Sequence, residues 1–272
     1  MNSLINYFIG GFLFLEYHFY FFILVAIVSL LSAYVTYRYI KESLNIHTIT
    51  AGADNSKVSI WSSYVVVLKD YKYMIYLVAC FLVFSFESHL TNFIAIHLKD
   101  TIIESSLFGL LTINGVNMVG ILHAENTIIV VFFVGMISWM MKKVTDERQY
   151  FIGMALFVIS YSILSYISSP IWLLVMMLFI SIGELMYVPV NQSLLADLIN
   201  ETHRSSYLAV YGFVGQGQMI FAGFAITISS KLTSLTMSTI LLFIGIFGIL
   251  LMRYVIRSQR KEQIPKEISA VH

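Results

Sequence analysis

Long apolar runs separated by short polar segments make up most of this chain. Runs of about 17 to 25 residues, the length that crosses a bilayer as a helix, lie near 17–40, 72–98, 126–141, 150–168, 170–198, 206–229 and 235–257. They lack the residue-by-residue alternation of transmembrane barrel strands. Because only helices and closed barrels satisfy backbone polar groups in lipid, the pattern predicts an all-α integral membrane protein with about seven transmembrane helices.

Composition and charge add an orientation to this prediction. Of the 272 residues, 58% are hydrophobic and only 11% are charged, which is unlike a soluble domain. Among the 16 lysines and arginines, only Lys99 and Lys231 fall on one set of alternate loops. Basic residues favour the cytoplasmic side, so the N-terminus is predicted outside and the C-terminus in the cytoplasm. The net charge of +1 does not indicate a nucleic-acid partner.

Two loops are long enough to hold structure of their own. The predicted cytoplasmic loop 41–71 contains the linker-like stretch NIHTITAGADNSK, followed by SIWSSYVVVL. The second stretch places Trp61, Tyr64, Val65 and Leu68 at i, i+3, i+4 and i+7, which suits either an amphipathic helix in the membrane interface or a solvated linker. The external stretch 99–125 is mildly apolar and is interpreted as a hairpin of half-helices.

The segment FISIGELMYVPVNQ, residues 179–192, brings a carboxylate into an apolar span. An ionised carboxylate at the bilayer centre costs roughly 2.5 to 3.5 kcal/mol on insertion scales, so such groups usually face a cavity or the bundle interior. Glu184, Tyr187 and Asn191 share a helix face at i, i+3 and i+7, with Gln192 beside them. Desolvation favours the neutral form of a carboxyl group in general, which suits proton coupling. We interpret Glu184 as a site of proton coupling or cation recognition, with helix packing as the alternative.

Further candidates lie on the other spans. Glu87, in SFESHLTN, occupies the second span much as Glu184 occupies the fifth, and Gln216 lies in the glycine-rich stretch GFVGQGQ; both are predicted to handle substrate or protons. The glycines of that stretch, Gly212, Gly215, Gly217 and Gly223, are expected to allow close helix contact or gating.

Three more residues suggest moving parts. Pro189 removes a backbone hydrogen bond one turn past Glu184, so a kink or hinge is predicted there. Asp197 and Arg204 flank a predicted cytoplasmic turn, where they would form a gate latch or an ordinary interfacial ion pair. With Gly215, these residues are the gating candidates.

The stretch GELMYVPVNQSLLADLINETHRSSYLAVYGFVGQG resembles the tenth helix, the following loop and the eleventh helix of the major facilitator superfamily, in particular its bacterial drug/proton antiporter branch. GILHAENTIIVV is similar to the segment leading into the eighth helix, and YFIGGF to the end of the fifth. The resemblance implies the fold of half such a transporter in the bacterial cytoplasmic membrane. Residues 1–40 would be the end of helix five and helix six, 41–71 the central cytoplasmic linker, and 72–272 the C-terminal six-helix bundle with its tail, so that the chain is a fragment.

The function implied by the resemblance is secondary active transport, specifically proton-coupled efflux of amphipathic or cationic compounds. The alternatives are a proton-coupled importer of peptides or sugars, and a non-transporting remnant or interaction subunit. No GxxxxGK[ST], HExxH or GxSxG motif occurs, so neither ATP-driven transport nor an enzyme is expected. The expected partners are a small-molecule substrate, protons, lipid and an N-terminal half, with no catalytic residues, cofactor or metal.

Overall fold

The computed structural model describes residues 10–39, 60–107, 111–229 and 231–270. The chain divides into two compact units, Met1–Ile60 and Trp61–His272, and the boundary lies within the predicted linker 41–71. In the first unit, helix α1 covers Gly10–Tyr39. Its described side chains from Phe22 onward are exposed and mostly apolar, as is typical of a helix that faces lipid. Residues 1–9 and 40–59, which carry parts of the predicted domains, lie outside the described residues.

The second unit is a bundle of helices with one small hairpin. A π-helical turn covers Leu90–Ile94, and a 3₁₀ turn covers Glu201–His203. Strands β1, Ser105–Leu107, and β2, Leu111–Ile113, pair antiparallel, with Ser105 opposite Ile113. The helices are α2 (Ile60–Lys69), α3 (Tyr71–His89), α4 (Ala95–Thr101), α5 (Gly115–Met141), α6 (Asp146–Leu164), α7 (Pro170–Leu198), α8 (Arg204–Ser229) and α9 (Ser234–Ala270).

The all-α membrane fold is confirmed, with a difference in the number of spans. Six helical stretches in the described ranges are long and apolar enough to cross a membrane: Phe22–Tyr39, Tyr71–Thr101, Gly115–Met141, Pro170–Leu198, Glu201–Ser229 and Ser234–Arg260. Helix α6 is not among them, because its 19 residues begin with Asp146 and Glu147, followed by Arg148. The orientation of the termini stays a prediction.

Most basic side chains of the second unit lie where α3, α6 and α8 begin, directly after α5, and in the second half of α9. They include Lys72, Lys142, Arg148, Arg204 and, within α9, Arg257. We call this the basic end of the unit. It is the end that the charge pattern of the sequence predicts to face the cytoplasm.

The stretch before α5 differs from the prediction. Instead of a hairpin of half-helices, residues 99–125 form the end of α4, the β-hairpin and the start of α5. Helix α5 begins at Gly115 because the Asn114 side chain accepts a hydrogen bond from the Asn117 backbone N–H at 2.9 Å, an N-cap. A Cβ at Gly115 would collide with the backbone of Leu98. The third span therefore starts at 115 rather than 126, and it includes Glu125 and Asn126.

Helix α2 forms where an amphipathic helix was one of two interpretations. Trp61 is 80% exposed and Leu68 is 56% exposed, whereas Val67 is fully buried in the core of the bundle. Asp70 follows and caps α3, since its carboxylate accepts hydrogen bonds from the Tyr73 backbone N–H at 3.0 Å and from the Tyr207 hydroxyl at 2.8 Å. The predicted location of α2 in the membrane interface stays a prediction.

Helices α6 and α7 approach each other closely at a pair of glycines. A Cβ added at Gly153 would lie 2.7 Å from the Met186 Cβ and 2.8 Å from the Gly183 carbonyl oxygen; one added at Gly183 would lie 2.7 Å from the Gly153 carbonyl oxygen. Only glycine at both positions lets the two backbones approach this closely. Small residues are the usual means of close packing between helices in membranes.

The glycines that the sequence predicted to pack closely lie on α8 and not at the α6–α7 contact. A Cβ at Gly212, Gly215 or Gly223 would meet no other described side chain or neighbouring helix within 4 Å, so close packing at these three positions is wrong for this unit. These positions face open space on α8. At Gly217, in contrast, the ring of Phe81 would lie 3.0 Å from an added Cβ, so this glycine does pack against α3.

Replacing Gly183 by alanine is expected to destabilise the bundle by about 1 to 3 kcal/mol, the usual cost of overpacking, because the new methyl group would press on the α6 backbone. The measurement is the thermal denaturation midpoint of the purified chain in detergent. Gly135→Ala is the matched control, since nothing lies within 4 Å of a Cβ there. Equal midpoints for the two variants would contradict the close contact.

Candidate functional site

Glu184 lies in the middle of α7, directly after the glycine of the α6–α7 contact, and its side chain is half-buried. Its Oε2 accepts a hydrogen bond from Asn126 Nδ2 of α5 at 3.2 Å. The Ser181 Oγ lies 2.5 Å from Asn126 Oδ1. Ser181 Oγ also lies 2.9 Å from the Met177 backbone oxygen, so its one proton can be donated to either oxygen, and the Asn126 NH₂ group is oriented toward the carboxylate. Ser181, Asn126 and Glu184 thus form a hydrogen-bonded chain across two helices.

A second carboxylate lies near these three hydrogen-bonded side chains. Glu87 of α3 is exposed, and its charge interacts with that of Glu184. Tyr161 of α6 and Tyr187 of α7 are buried in the same part of the bundle. The two glutamates that the sequence singled out are therefore brought to one region of the bundle. Like charges on neighbouring carboxylates repel, so a proton or a bound cation would lower their free energy.

Tyr187 and Asn191 share the predicted helix face with Glu184, but both are buried inside the bundle, with 4% and 3% of their surface exposed. Asn191 Oδ1 accepts a hydrogen bond from the Tyr150 hydroxyl at 3.1 Å and one from Cys80 Sγ at 3.7 Å. The Asn191 backbone oxygen accepts a third from the Tyr76 hydroxyl at 3.3 Å. Asn191 thereby ties α7 to α3 and α6, and this burial favours packing over contact with a substrate.

The two glutamines and Gly215 are placed differently. Gln192 and Gln216 are exposed, and in the described part of the chain neither side-chain amide has a hydrogen-bond partner. Gly215, on the same helix as Gln216, is also exposed. The structure does not bring these three residues into contact with Glu184, and their roles stay predictions.

Pro189 lies inside α7, which continues as a helix to Leu198. Its ring nitrogen cannot donate to the Leu185 carbonyl, which weakens this turn. In the same turn, Gln149 Nε2 of α6 donates a hydrogen bond to the Met186 backbone oxygen at 2.9 Å. Neighbouring side chains commonly satisfy the backbone next to a proline in membrane helices. The Gln149 side chain thus holds the turn of α7 before Pro189 to α6.

The predicted ion pair between Asp197 and Arg204 is absent. Both side chains are exposed at the basic end, on the two sides of the turn from α7 to α8, and they do not come within 4.0 Å of each other. The intervening 3₁₀ turn holds the chain instead, with the Asn200 side chain accepting from the Thr202 backbone N–H at 2.9 Å. The described ion pair at this end joins Arg260 to Glu147, at 3.6 Å.

Sequence reasoning missed Asn126, Ser181, Glu125 and Gln149. Starting the third span at 126 left Glu125 in a loop, although it is a further carboxylate inside α5, and its Oε2 is buried without a hydrogen-bond partner. The available signal was the polar group HAEN at the start of an apolar run. Among the described residues, no three or more histidines, cysteines or acidic residues are grouped so as to hold a metal ion.

Comparison with known proteins identifies a family of membrane transporters. The Major Facilitator Superfamily model matches residues 3–222 and 111–271. A "Na(+), Li(+), K(+)/H(+) antiporter" from Planococcus maritimus is 28% identical over 213 residues, 74% of this chain and 50% of that protein. A solved POT family transporter in complex with a thioalcohol-conjugated peptide has a TM-score of 0.52 at 19% identity, covering 91% of this chain and 54% of that one.

These matches define the class as an integral membrane protein of a transporter fold. The chain belongs to the Major Facilitator Superfamily. It spans about half the length of the relatives that it matches. At 19% identity, the likeness to the POT family structure concerns the fold alone.

Replacing Tyr150 by phenylalanine should leave Asn191 without its hydroxyl donor and lower stability by about 1 to 3 kcal/mol. The thermal denaturation midpoint in detergent measures the loss. Tyr166→Phe, which removes an exposed hydroxyl from the same region of sequence, is the control and should leave the midpoint unchanged. If both variants have the same midpoint as the unmodified chain, the hydrogen bond from Tyr150 to Asn191 does not stabilise the bundle.

Proposed function

We propose that this chain is half of a secondary active antiporter that exchanges protons for cationic compounds across a bacterial cytoplasmic membrane. The observation that carries the proposal is the arrangement of Glu184, Asn126 and Ser181 within helices long enough to span a bilayer, with Glu87 close by. The antiporter activity named for the Planococcus relative supports the same class of function. Drug-like amphipathic cations, as expected for the multidrug-efflux branch, and small metal cations are both candidate substrates.

The proposed mechanism is competition at one carboxylate. Ionised Glu184 accepts the hydrogen bond of Asn126 and attracts a cation, whereas protonated Glu184 is neutral and attracts it less. A cation arriving from one side would then displace a proton, and a proton arriving from the other side would release the cation. Such mutual exclusion is sufficient to couple the two flows when the site opens to one side at a time.

The fold leaves room for a facing partner. Gln192, Gln216 and the glycine positions of α8 are exposed in this unit, so they are available to a second half or to substrate. In the proposed transporter, a six-helix N-terminal half completes the cavity in which Glu184 works. The alternative of a peptide or sugar importer has weaker support, since its only likeness here is that of the fold. A chain without transport activity is the remaining alternative, and the next experiment tests it.

Glu184→Gln is expected to abolish exchange, because the amide keeps the size of the side chain but cannot bind and release a proton. Exchange is measured in everted vesicles as proton release on adding sodium, lithium, potassium or the dye cation ethidium. The chain is expressed alone and together with any in-frame sequence that precedes Met1 in its genome. Glu104→Gln, at an exposed position beside the β-hairpin, is the control.

The outcomes separate the alternatives. Exchange that disappears in Glu184→Gln and persists in Glu104→Gln supports the antiporter, and the active cation identifies the substrate class. Unchanged exchange in Glu184→Gln would reduce this residue to helix packing. Absence of exchange in every form of the unmodified protein would support the importer or the inactive remnant.

Asn126→Leu tests whether the hydrogen bond to Glu184 matters for transport. Hydrogen bonds to charged groups contribute about 1.5 to 3 kcal/mol, so exchange is expected to slow by a factor on the order of ten or more. Initial rates in the same vesicles measure it. Asn117→Leu, an exposed amide on the same helix, should retain the unmodified rate; equal rates for both variants would exclude a role for Asn126.

A further inference from the structure

One face of α9 carries a mixture of apolar and cationic side chains where the helix reaches the basic end. Leu250, Arg253, Tyr254 and Arg257 recur at i, i+3, i+4 and i+7, so they share a helix face. With Arg260 and with Glu147 of α6 they line a cavity of about 770 Å³, a size typical of ligand sites. No residue of this cavity takes part in the carboxylate site described above.

The charge of this cavity is strongly positive. Three guanidinium groups line it, against the single carboxylate of Glu147. That carboxylate pairs with Arg260 at 3.6 Å, in an exposed contact of the kind that contributes little. In the described part of the chain, Arg253 and Arg257 have no carboxylate within 4.0 Å. Two guanidinium groups are therefore available to an anion.

The depth of the side chains along α9 suits a lipid. The apolar span Ser234–Arg260 ends at the last of the three arginines, which places them at the membrane surface. Leu250 lies about one turn deeper than Tyr254, which is between Arg253 and Arg257, and the two side chains are 55% and 52% exposed, so their apolar surface is open to the bilayer. Phosphate groups are bound bidentately by arginine, and tyrosine favours the boundary between headgroups and acyl chains.

We propose that this cavity binds an anionic phospholipid, with Arg253 and Arg257 on its phosphate and Leu250 and Tyr254 against the first part of its acyl chains. The lipid belongs to the leaflet that the basic end faces. Its chemistry combines one or more phosphodiester charges with an apolar tail, which matches the combination of guanidinium groups and exposed apolar side chains on this helix face.

A neighbouring cavity shows that this assignment is selective. The adjacent cavity of about 370 Å³ shares Glu147 and Arg260 but is also lined by Asp146 and Asp197. Its carboxylates outnumber its one guanidinium group, so it would repel a phosphate. The anion is therefore expected on the α9 face alone.

The test uses the purified full chain in detergent, titrated with a short-chain phosphatidylglycerol and followed by the thermal denaturation midpoint. Phosphatidylcholine of the same chain length is the neutral lipid, and glycerol 3-phosphate is the headgroup without a tail. Phosphatidylglycerol should raise the midpoint, while the other two should act only at far higher concentration. Each basic residue near an anionic lipid surface contributes about fivefold in affinity.

The double variant Arg253→Gln with Arg257→Gln should lose at least tenfold in apparent affinity for phosphatidylglycerol. Its control is Lys142→Gln with Lys143→Gln, which removes the same charge from exposed positions at the same end, outside the cavity. Equal losses in the two variants would overturn the site in favour of diffuse surface charge. An equal response to glycerol 3-phosphate would instead indicate a soluble anion site. The midpoints without lipid show that both variants fold.

Discussion

The approach of α6 to α7 at Gly153 and Gly183 is the contact on which the rest of the bundle depends. Lipid gives helices no hydrophobic reason to associate, so packing and hydrogen bonds must hold them together. Without side chains at these two positions, the backbones come near enough for Gln149 to reach Met186. Glu184 follows Gly183 directly, and its position is therefore set by the tightest part of the interface.

Polar residues along α7 divide into two groups by the state of their hydrogen bonds. Asn191 accepts three hydrogen bonds from Cys80, Tyr76 and Tyr150, so its oxygens are already satisfied within the bundle. Glu184 accepts one, from Asn126, and keeps further lone pairs on a half-buried carboxylate. On the helix face that the sequence predicted, Asn191 thus stabilises the fold, while Glu184 retains lone pairs that can bind a proton or a cation.

The sequence predicted the class of fold and most of the spans, because apolar length is a local property, and the roles of the two glutamates that it singled out stay predictions. The start of α5 was missed because it depends on the Asn114 cap and on the close contact of Gly115 with Leu98, neither of which has a hydropathy signal. Asn126 was missed for the same reason. The expected close packing does not occur at Gly215 within this unit, since glycine composition does not show which helix, if any, lies opposite.

The turn of α7 that contains Pro189 lacks a backbone hydrogen bond, and it lies beside Gln149 of α6 and near Glu184. The proline deletes one backbone donor between Glu184 and Asn191, and an unsatisfied carbonyl in lipid would be costly. Gln149 donates to the neighbouring Met186 carbonyl rather than to the Leu185 carbonyl that the proline leaves without its donor, and α7 continues as a helix to Leu198. Bending at this turn would have to break a contact between side chain and backbone across the α6–α7 interface. Any movement of Glu184 relative to Asn191 is therefore coupled to the position of α6.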